Sequence, residues 1–160
     1  PKKCNNQQDS ETCWGNPKIT EDYVKFVKQS GFNAIRLPVS WNQYASASTA
    51  EIEQAWLDRV KQVVKYCIDN DLYVLVNIHW DGGWLENHVS PDKQFANNAK
   101  QKAFWEQIAT HLREFDERLM FASTNEPSVK EQGMTDVDLL TQRMNVLTSY
   151  HQTFIDAVRS

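Results

Sequence analysis

The stretch "LYVLVNI" at residues 72–78 limits the fold more than any other part of this chain. It is nearly all apolar, rich in β-branched side chains and without polar alternation. A strand reads this way when both faces of its sheet are covered, as in a parallel sheet. Parallel strands need long crossovers between them, usually helical, so helices are expected on either side of this segment.

The flanking sequence supplies them. From Thr20 a helix starts on a capping hydroxyl with Glu21 in its first turn, buries Val24 and Val27, and stops at Ser30-Gly31, where glycine suits a left-handed cap. "FNAIRLPV" follows as a strand, and a second helix sets Trp56, Val60, Val63, Val64, Cys67 and Ile68 on one stripe before ending at Asn70. After the 72–78 strand, a third helix is expected over about 98–115 through Phe104, Ile108, Leu112 and Phe115. It feeds a third strand, "LMFAS" at 119–123, and a last helix over about 136–158 turns Leu140, Met144, Leu147, Phe154 and Val158 inward. Trp56 and Trp105 lie on helices and are expected in the core.

Strand onsets near 33, 72 and 119 are each followed by a long loop, at about 40–52, 79–97 and 124–135, whereas the helix-to-strand links are short. That asymmetry puts the elaborated surface at the C-terminal ends of the strands, where α/β proteins build their sites. An open doubly wound sheet and a (β/α)8 barrel both satisfy the pattern. No G-x-G-x-x-G or Walker sequence follows a strand, which favours the barrel. A closed barrel takes about 250 residues. The expected fold is therefore α/β, a partial (β/α)8 TIM barrel of about three parallel strands with flanking helices, forming one domain over residues 1–160.

With 41% apolar and 11% aromatic residues among 160, the chain can bury a real core. Its 17 Lys and Arg against 21 acidic residues leave a net charge of −4 without a basic cluster, which argues against nucleic acid as a partner. The longest apolar run falls far below the roughly 20 residues of a membrane-spanning helix. Three cysteines form no C-x-x-C pair and have no histidine at zinc-finger spacing, so neither a structural metal nor a cofactor is expected. Cys67 reads as a small core hydrophobe, while a Cys4–Cys13 bridge stays open. The chain begins at Pro1 without Met or a signal sequence, so any export signal is expected to have been removed or to lie outside it.

Three polar clusters follow the three strands: Arg36 with "LPVSW", "HWDGGWLE" from His79, and Asn125-Glu126-Pro127. Arg36 is a charge within a strand, and burial there would require a neighbouring acid. Pro127 biases Glu126 toward extended geometry and bars a helix, holding the carboxylate at the sheet mouth. Partial desolvation there would raise its pKa and suit it to general acid catalysis; a solvated Asn-Glu-Pro turn is the alternative.

"IRLPVSW", "VNIHWDGGWLE" and "FASTNEP", in this order and spacing, resemble glycoside hydrolase family 5, the retaining endo-β-glucanases built on (β/α)8 barrels, and "ETCWGNP" at 11–17 resembles the segment those enzymes carry before their first helix. The resemblance implies that Glu126 is the acid/base, that Asn125 holds the sugar 2-hydroxyl, that His79 lies near the catalytic centre, and that Arg36 keeps the nucleophile carboxylate ionised. It implies a β-glucan partner, cellulose or a related polymer, and a secreted or cell-surface location. Many relatives carry two consecutive histidines where this chain has His79-Trp80. The family's nucleophilic glutamate, carried on the seventh strand, has no counterpart here, and neither does its first strand. The chain alone is thus expected to be inactive.

Retention requires a second carboxyl about 5–5.5 Å from the first, and inversion one at about 6.5–9.5 Å. Asp81, Glu86 and Glu131 lie on loops at the right end of the sheet, but no motif holds any of them opposite Glu126. For stacking against pyranose rings, Trp41, Trp80 and Trp84 are the candidate platforms with Trp14 behind them, the alternative for each being loop packing. A non-catalytic, glycan-binding or self-assembling half-barrel is the competing reading, because unpaired sheet edges invite association with itself or with the rest of a barrel. A metal enzyme using His79, Asp81 and Glu126 is a third, weakened by the lack of a second histidine at that end.

Overall fold

A computed structural model describes residues 11–129 and 134–160. Its elements are α1 (Glu21–Gln29), β1 (Ala34–Val39), α2 (Gln54–Asp69), β2 (Tyr73–Ile78), α3 (Pro91–Leu112), β3 (Leu119–Ala122) and α4 (Val137–Arg159), with single 3₁₀ turns at Asn42–Tyr44 and Asp81–Gly83. The three strands form one parallel sheet in chain order. Three parallel strands with helices between them form part of a (β/α)8 barrel, the one of the two expected architectures that the missing nucleotide motifs favour.

Local chemistry sets the boundaries. The Thr20 hydroxyl accepts from the Tyr23 amide at 3.2 Å, and Gly31 closes α1 at φ +92°. The third helix starts at Pro91, well before the expected 98, because Ser90-Pro91 supplies a proline for its first turn. This shortens the second loop to about 79–90 and leaves Phe115 beyond the helix end. Asp136 caps α4 by accepting from the Leu139 amide at 3.0 Å.

The core lies on one face of the sheet. Leu37, Val39, Val74, Val76 and Ile78 pack against Val60, Val63, Val64 and Cys67 of α2 and against Phe104, Trp105 and Ile108 of α3. Trp105 is fully buried, edge-on to Phe121 at 5.5 Å and to Phe154 of α4 at 4.7 Å. Burying a side chain of this size is worth about 2–3 kcal/mol before its packing terms. On α4 the fully buried positions are Val146, Tyr150 and Ala157, whereas Leu140, Leu147, Phe154 and Val158 are half-buried. Met144 does not turn inward: it is 54% exposed, because it stands two residues from Val146 and so about 200° around the helix.

The opposite face is less covered than the β2 sequence implies. Partners across a parallel ladder share a face, so Arg36, Leu75 and Met120 form one row. Arg36 is exposed, Leu75 is half-buried, and Tyr73 and Met120 are 46% and 41% exposed. The described residues therefore leave this face open at Tyr73, and cover it progressively toward the C-terminal end of β2, where Asn77 is buried. Cys13 is disulfide-bonded and Cys67 is a free, buried thiol. Cys4 and Glu131 lie outside the described residues. Among those described, no helix is long and apolar enough to cross a membrane.

Candidate active site

The strand ends converge on a hydrogen bond between the first and third clusters. Nη1 of Arg36 donates to Oδ1 of Asn125 at 2.7 Å. The partner is a neutral amide rather than the acid expected for Arg36. Because the guanidinium is exposed, the desolvation cost that called for a carboxylate is not incurred.

Glu126 follows directly, with its side chain exposed. The described residues therefore do not supply the burial that the proton-donor argument assumed. Its backbone, in contrast, is held: the Glu126 amide donates to Oε1 of Glu86 at 3.1 Å, and the Ser128 amide donates to the Glu86 carbonyl at 3.2 Å. Glu86 is buried on a loop whose Leu85 and Val89 pack against Val146 and Tyr150 of α4. The Tyr150 hydroxyl also donates to the His88 carbonyl at 2.9 Å.

The β1–β2 ladder continues into His79, whose amide donates to the Val39 carbonyl at 2.9 Å. Pro38, Asn77 and Ala122 share the row just below, so His79 leaves the sheet beside the start of the Asn125 turn. Its Nδ1 is enclosed, and no partner for it lies among the described residues.

Beyond His79 the backbone is strained, with Trp80 at φ +21° and Asp81 at φ +52°. Asp81 holds this turn against the first loop. Its two oxygens accept from the Asn42 amide at 2.9 and 2.8 Å, and Nε1 of Trp84 donates to it at 3.0 Å. Burial pushes the Asp81 carboxyl up to about 6, against those hydrogen bonds and the charge of Lys100. Lys100 donates to Oδ1 of Asn42 and sits 4.4 Å above the Trp84 ring. Burial lowers its pKa, opposed by Asp81. Glycine suits position 83, which lies at φ +72° in the left-handed region, and a Cβ there would displace the Asn87 side chain, whose Nδ2 would lie 2.5 Å away.

Two of the four tryptophans do not serve as platforms in this structure. Trp41 is fully buried, its indole donating to the Asn77 carbonyl at 3.0 Å, and it offers no face to a ligand. Trp84 is clamped between Asp81, Lys100 and, edge-on at 5.6 Å, Phe104, so it ties the loop to α3. Trp80 is open, at 53% exposure. Trp14 is open too, but its segment is pinned to α2 by the Glu11–Arg59 ion pair rather than to the strand-end loops.

Neither alternative carboxylate is free to act opposite Glu126. Asp81 is taken up by its three contacts, and Glu86 by the turn it holds. Among the described residues no three His, Cys, Asp or Glu side chains gather as a metal set, so His79, Asp81 and Glu126 do not converge as the metal reading requires. The sequence reading missed Asn42 and Lys100, and it weighed Glu86 only as a spare carboxylate. The apolar pair Leu85 and Val89, flanking a single acid inside a polar loop, was the available signal that this acid is buried.

Residues 2–160 match the family model for cellulases, glycosyl hydrolase family 5. The chain is 38% identical over 151 residues to a xyloglucan-specific endo-beta-1,4-glucanase of Bacteroides ovatus, covering 94% of this chain and 30% of that protein. Against endoglucanase A of Paenibacillus barcinonensis it is 38% identical over 161 residues, covering 96% and 39%. It superposes on a Bacteroides ovatus GH5 xyloglucanase in complex with a XXXG heptasaccharide with a TM-score of 0.84, at 36% identity, over 93% of this chain and 32% of that one. For a GH5-4 broad specificity endoglucanase from an uncultured bacterium the TM-score is 0.87, at 31% identity and 94% and 44% coverage. The chain thus spans between 30% and 39% of the length of these two curated relatives.

Proposed function

Because the chain belongs to glycosyl hydrolase family 5, we propose that it is the N-terminal, acid/base-bearing part of a retaining endo-β-1,4-glucanase acting on cellulose or a related β-glucan. The observation that carries this reading is the Arg36–Asn125 hydrogen bond with Glu126 exposed beside it. Arg36 occupies the amide oxygen of Asn125, which leaves the Nδ2 hydrogens to donate outward, as a residue holding a sugar 2-hydroxyl must.

Glu126 then protonates the glycosidic oxygen and later takes a proton from the attacking water. Being exposed here, its carboxyl depends on the docked glycan and the rest of a barrel for the dry surroundings that favour proton donation. The nucleophile comes from outside this chain, since Asp81 and Glu86 are both engaged in holding loops. Arg36, with donors beyond the one given to Asn125, lies where it can meet that nucleophile, and His79 borders the same opening. Trp80 offers the sugar platform. The likeness to proteins named as a xyloglucan-specific endo-beta-1,4-glucanase and a broad specificity endoglucanase supports a β-glucan as the substrate. A disulfide at Cys13 fits an oxidising, extracellular setting.

A second reading is a non-catalytic half-barrel that binds glycan and associates with a second copy or with the remaining barrel. It is favoured by the exposed row on the sheet face and by a cleft of about 230 Å³ where Phe121, Phe154, Ile155 and Val158 meet Arg159. Carboxymethylcellulose hydrolysis and cello-oligosaccharide calorimetry on the 160-residue chain separate the two parts of the proposal. Binding without turnover is the expected result. Turnover by the chain alone would show that a local carboxylate serves as nucleophile, and absence of both binding and turnover would remove the glycan site.

A further inference from the structure

We propose that Glu86 is the positioning residue for the proton donor, fixing the Asn125-Glu126-Pro127 turn from both sides of its proline; this rests on the acid assignment of Glu126 made above. Pro127 has no N–H, so residues 126–128 offer only two backbone donors. Both end on Glu86, the Glu126 amide on its carboxylate and the Ser128 amide on its carbonyl. One residue thereby sets the direction of the chain before and after the position that aims the acid.

The clamp is itself anchored. Glu86 is 4% exposed, so its carboxylate is costly unless donors meet it, and the Glu126 amide is such a donor. Leu85 and Val89 fasten the loop to Val146 and Tyr150, and Tyr150 adds a hydrogen bond to the His88 carbonyl. The long helix α4 therefore supports the turn through Glu86. Since the Glu126 side chain is exposed, the backbone clamp and the Arg36 bond to Asn125 are the restraints that the described residues place on where its carboxyl points.

Amide hydrogen exchange on the 160-residue chain tests the clamp, with Ser128 as internal control. Glu86→Ala deletes the side-chain acceptor but keeps the backbone one. The Glu126 amide should then exchange about tenfold or more faster while Ser128 stays protected. Glu86→Gln retains an acceptor of the same reach and should restore the Glu126 protection. Equal Glu126 exchange in all three proteins overturns the clamp. If Glu86→Ala does not fold, a Glu126 amide exchanging at the free-peptide rate in the wild type overturns it.

The role in positioning is read in the complete glucanase from its dependence on the leaving group. Glu86→Ala should lower kcat/KM about tenfold or more on unactivated glucan yet leave it near wild type on an aryl glycoside whose leaving group needs no proton, with Gln restoring the first. An equal loss on both substrates, or no loss on either, overturns the positioning role. Undiminished glucan turnover in Glu126→Gln would instead remove the acid assignment, while the exchange result for Glu86 would stand.

Discussion

The guanidinium of Arg36 and the side-chain amide of Asn125, 89 residues apart in sequence, meet at 2.7 Å and tie the middle of the first strand to the loop that follows the third. The bond engages the oxygen of the amide, so its nitrogen is the group that can donate to a ligand. Asn125→Asp keeps an acceptor for Arg36 and removes that donor. Its unfolding free energy in urea should stay within about 1 kcal/mol of wild type, because the pair is partly exposed. Its cello-oligosaccharide affinity, measured calorimetrically, should fall about tenfold, matching Asn125→Ala. Wild-type affinity in the aspartate variant would remove the donor role.

Glu126→Gln separates proton donation from binding. In the complete enzyme, kcat on unactivated glucan should drop by about 10²–10⁴-fold, while glucan affinity changes little. The side chain is exposed, so stability should move by no more than about 0.5 kcal/mol. Steady-state kinetics beside a thermal melt distinguish a lost acid from a lost fold, and a variant that turns over glucan at the wild-type rate refutes the assignment.

Trp41 and Trp80 follow strands at similar offsets, yet they should respond in opposite ways. Trp41 is wholly enclosed and donates to the Asn77 carbonyl, so Trp41→Ala should cost about 3–5 kcal/mol in urea unfolding. Trp80 is 53% exposed, so Trp80→Ala should cost under about 1 kcal/mol and weaken glucan binding about tenfold. Undiminished binding by Trp80→Ala would take away the remaining strand-end platform.

The contrast between these two rings shows what the sequence could and could not reveal. Periodicity located all three strands and four helices, because each is fixed by short-range chemistry such as the Thr20 cap, the Gly31 stop and the apolar run in β2. Strand polarity alone also sets His79 and the Asn125 turn past the same end of the sheet, and the Arg36 side chain reaches that turn from within β1. Which side of a loop a tryptophan faces depends on which partners the fold brings beside it, some of them distant in sequence, and these are not legible from periodicity. Trp41 turns inward because the Asn77 carbonyl is there to accept from it, and Trp84 because Asp81 and Lys100 receive it. The start of α3 is hidden for a nearer reason: between Pro91 and Asn98 only Phe95 and Ala96 are apolar, and adjacent positions make no stripe to mark a helix. Among the described residues Arg36 meets an amide rather than an acid, and its place in a strand does not bury it, because that face of the sheet is open around it.

Asp81 gives the chain a measurable pH signature. Burial raises its carboxyl from 3.8 to about 6, so near pH 5 the folded protein holds a proton that the unfolded chain has released. The state that binds more protons gains as pH falls. The contribution of Asp81 is therefore most favourable below about pH 4, declines through the window from about 4 to 6, and is a standing penalty at neutral pH. A shift of this size corresponds to roughly 3 kcal/mol at most. Asp81→Asn keeps an acceptor for the Asn42 amide and cannot titrate, so subtracting its stability from that of the wild type cancels the other ionisable groups. Urea unfolding of both proteins from pH 4 to 7.5 should show that difference fall by up to roughly 3 kcal/mol as pH rises. A difference that stays level or grows with pH would mean that the Asn42 and Trp84 hydrogen bonds, together with Lys100, outweigh the burial of this carboxylate.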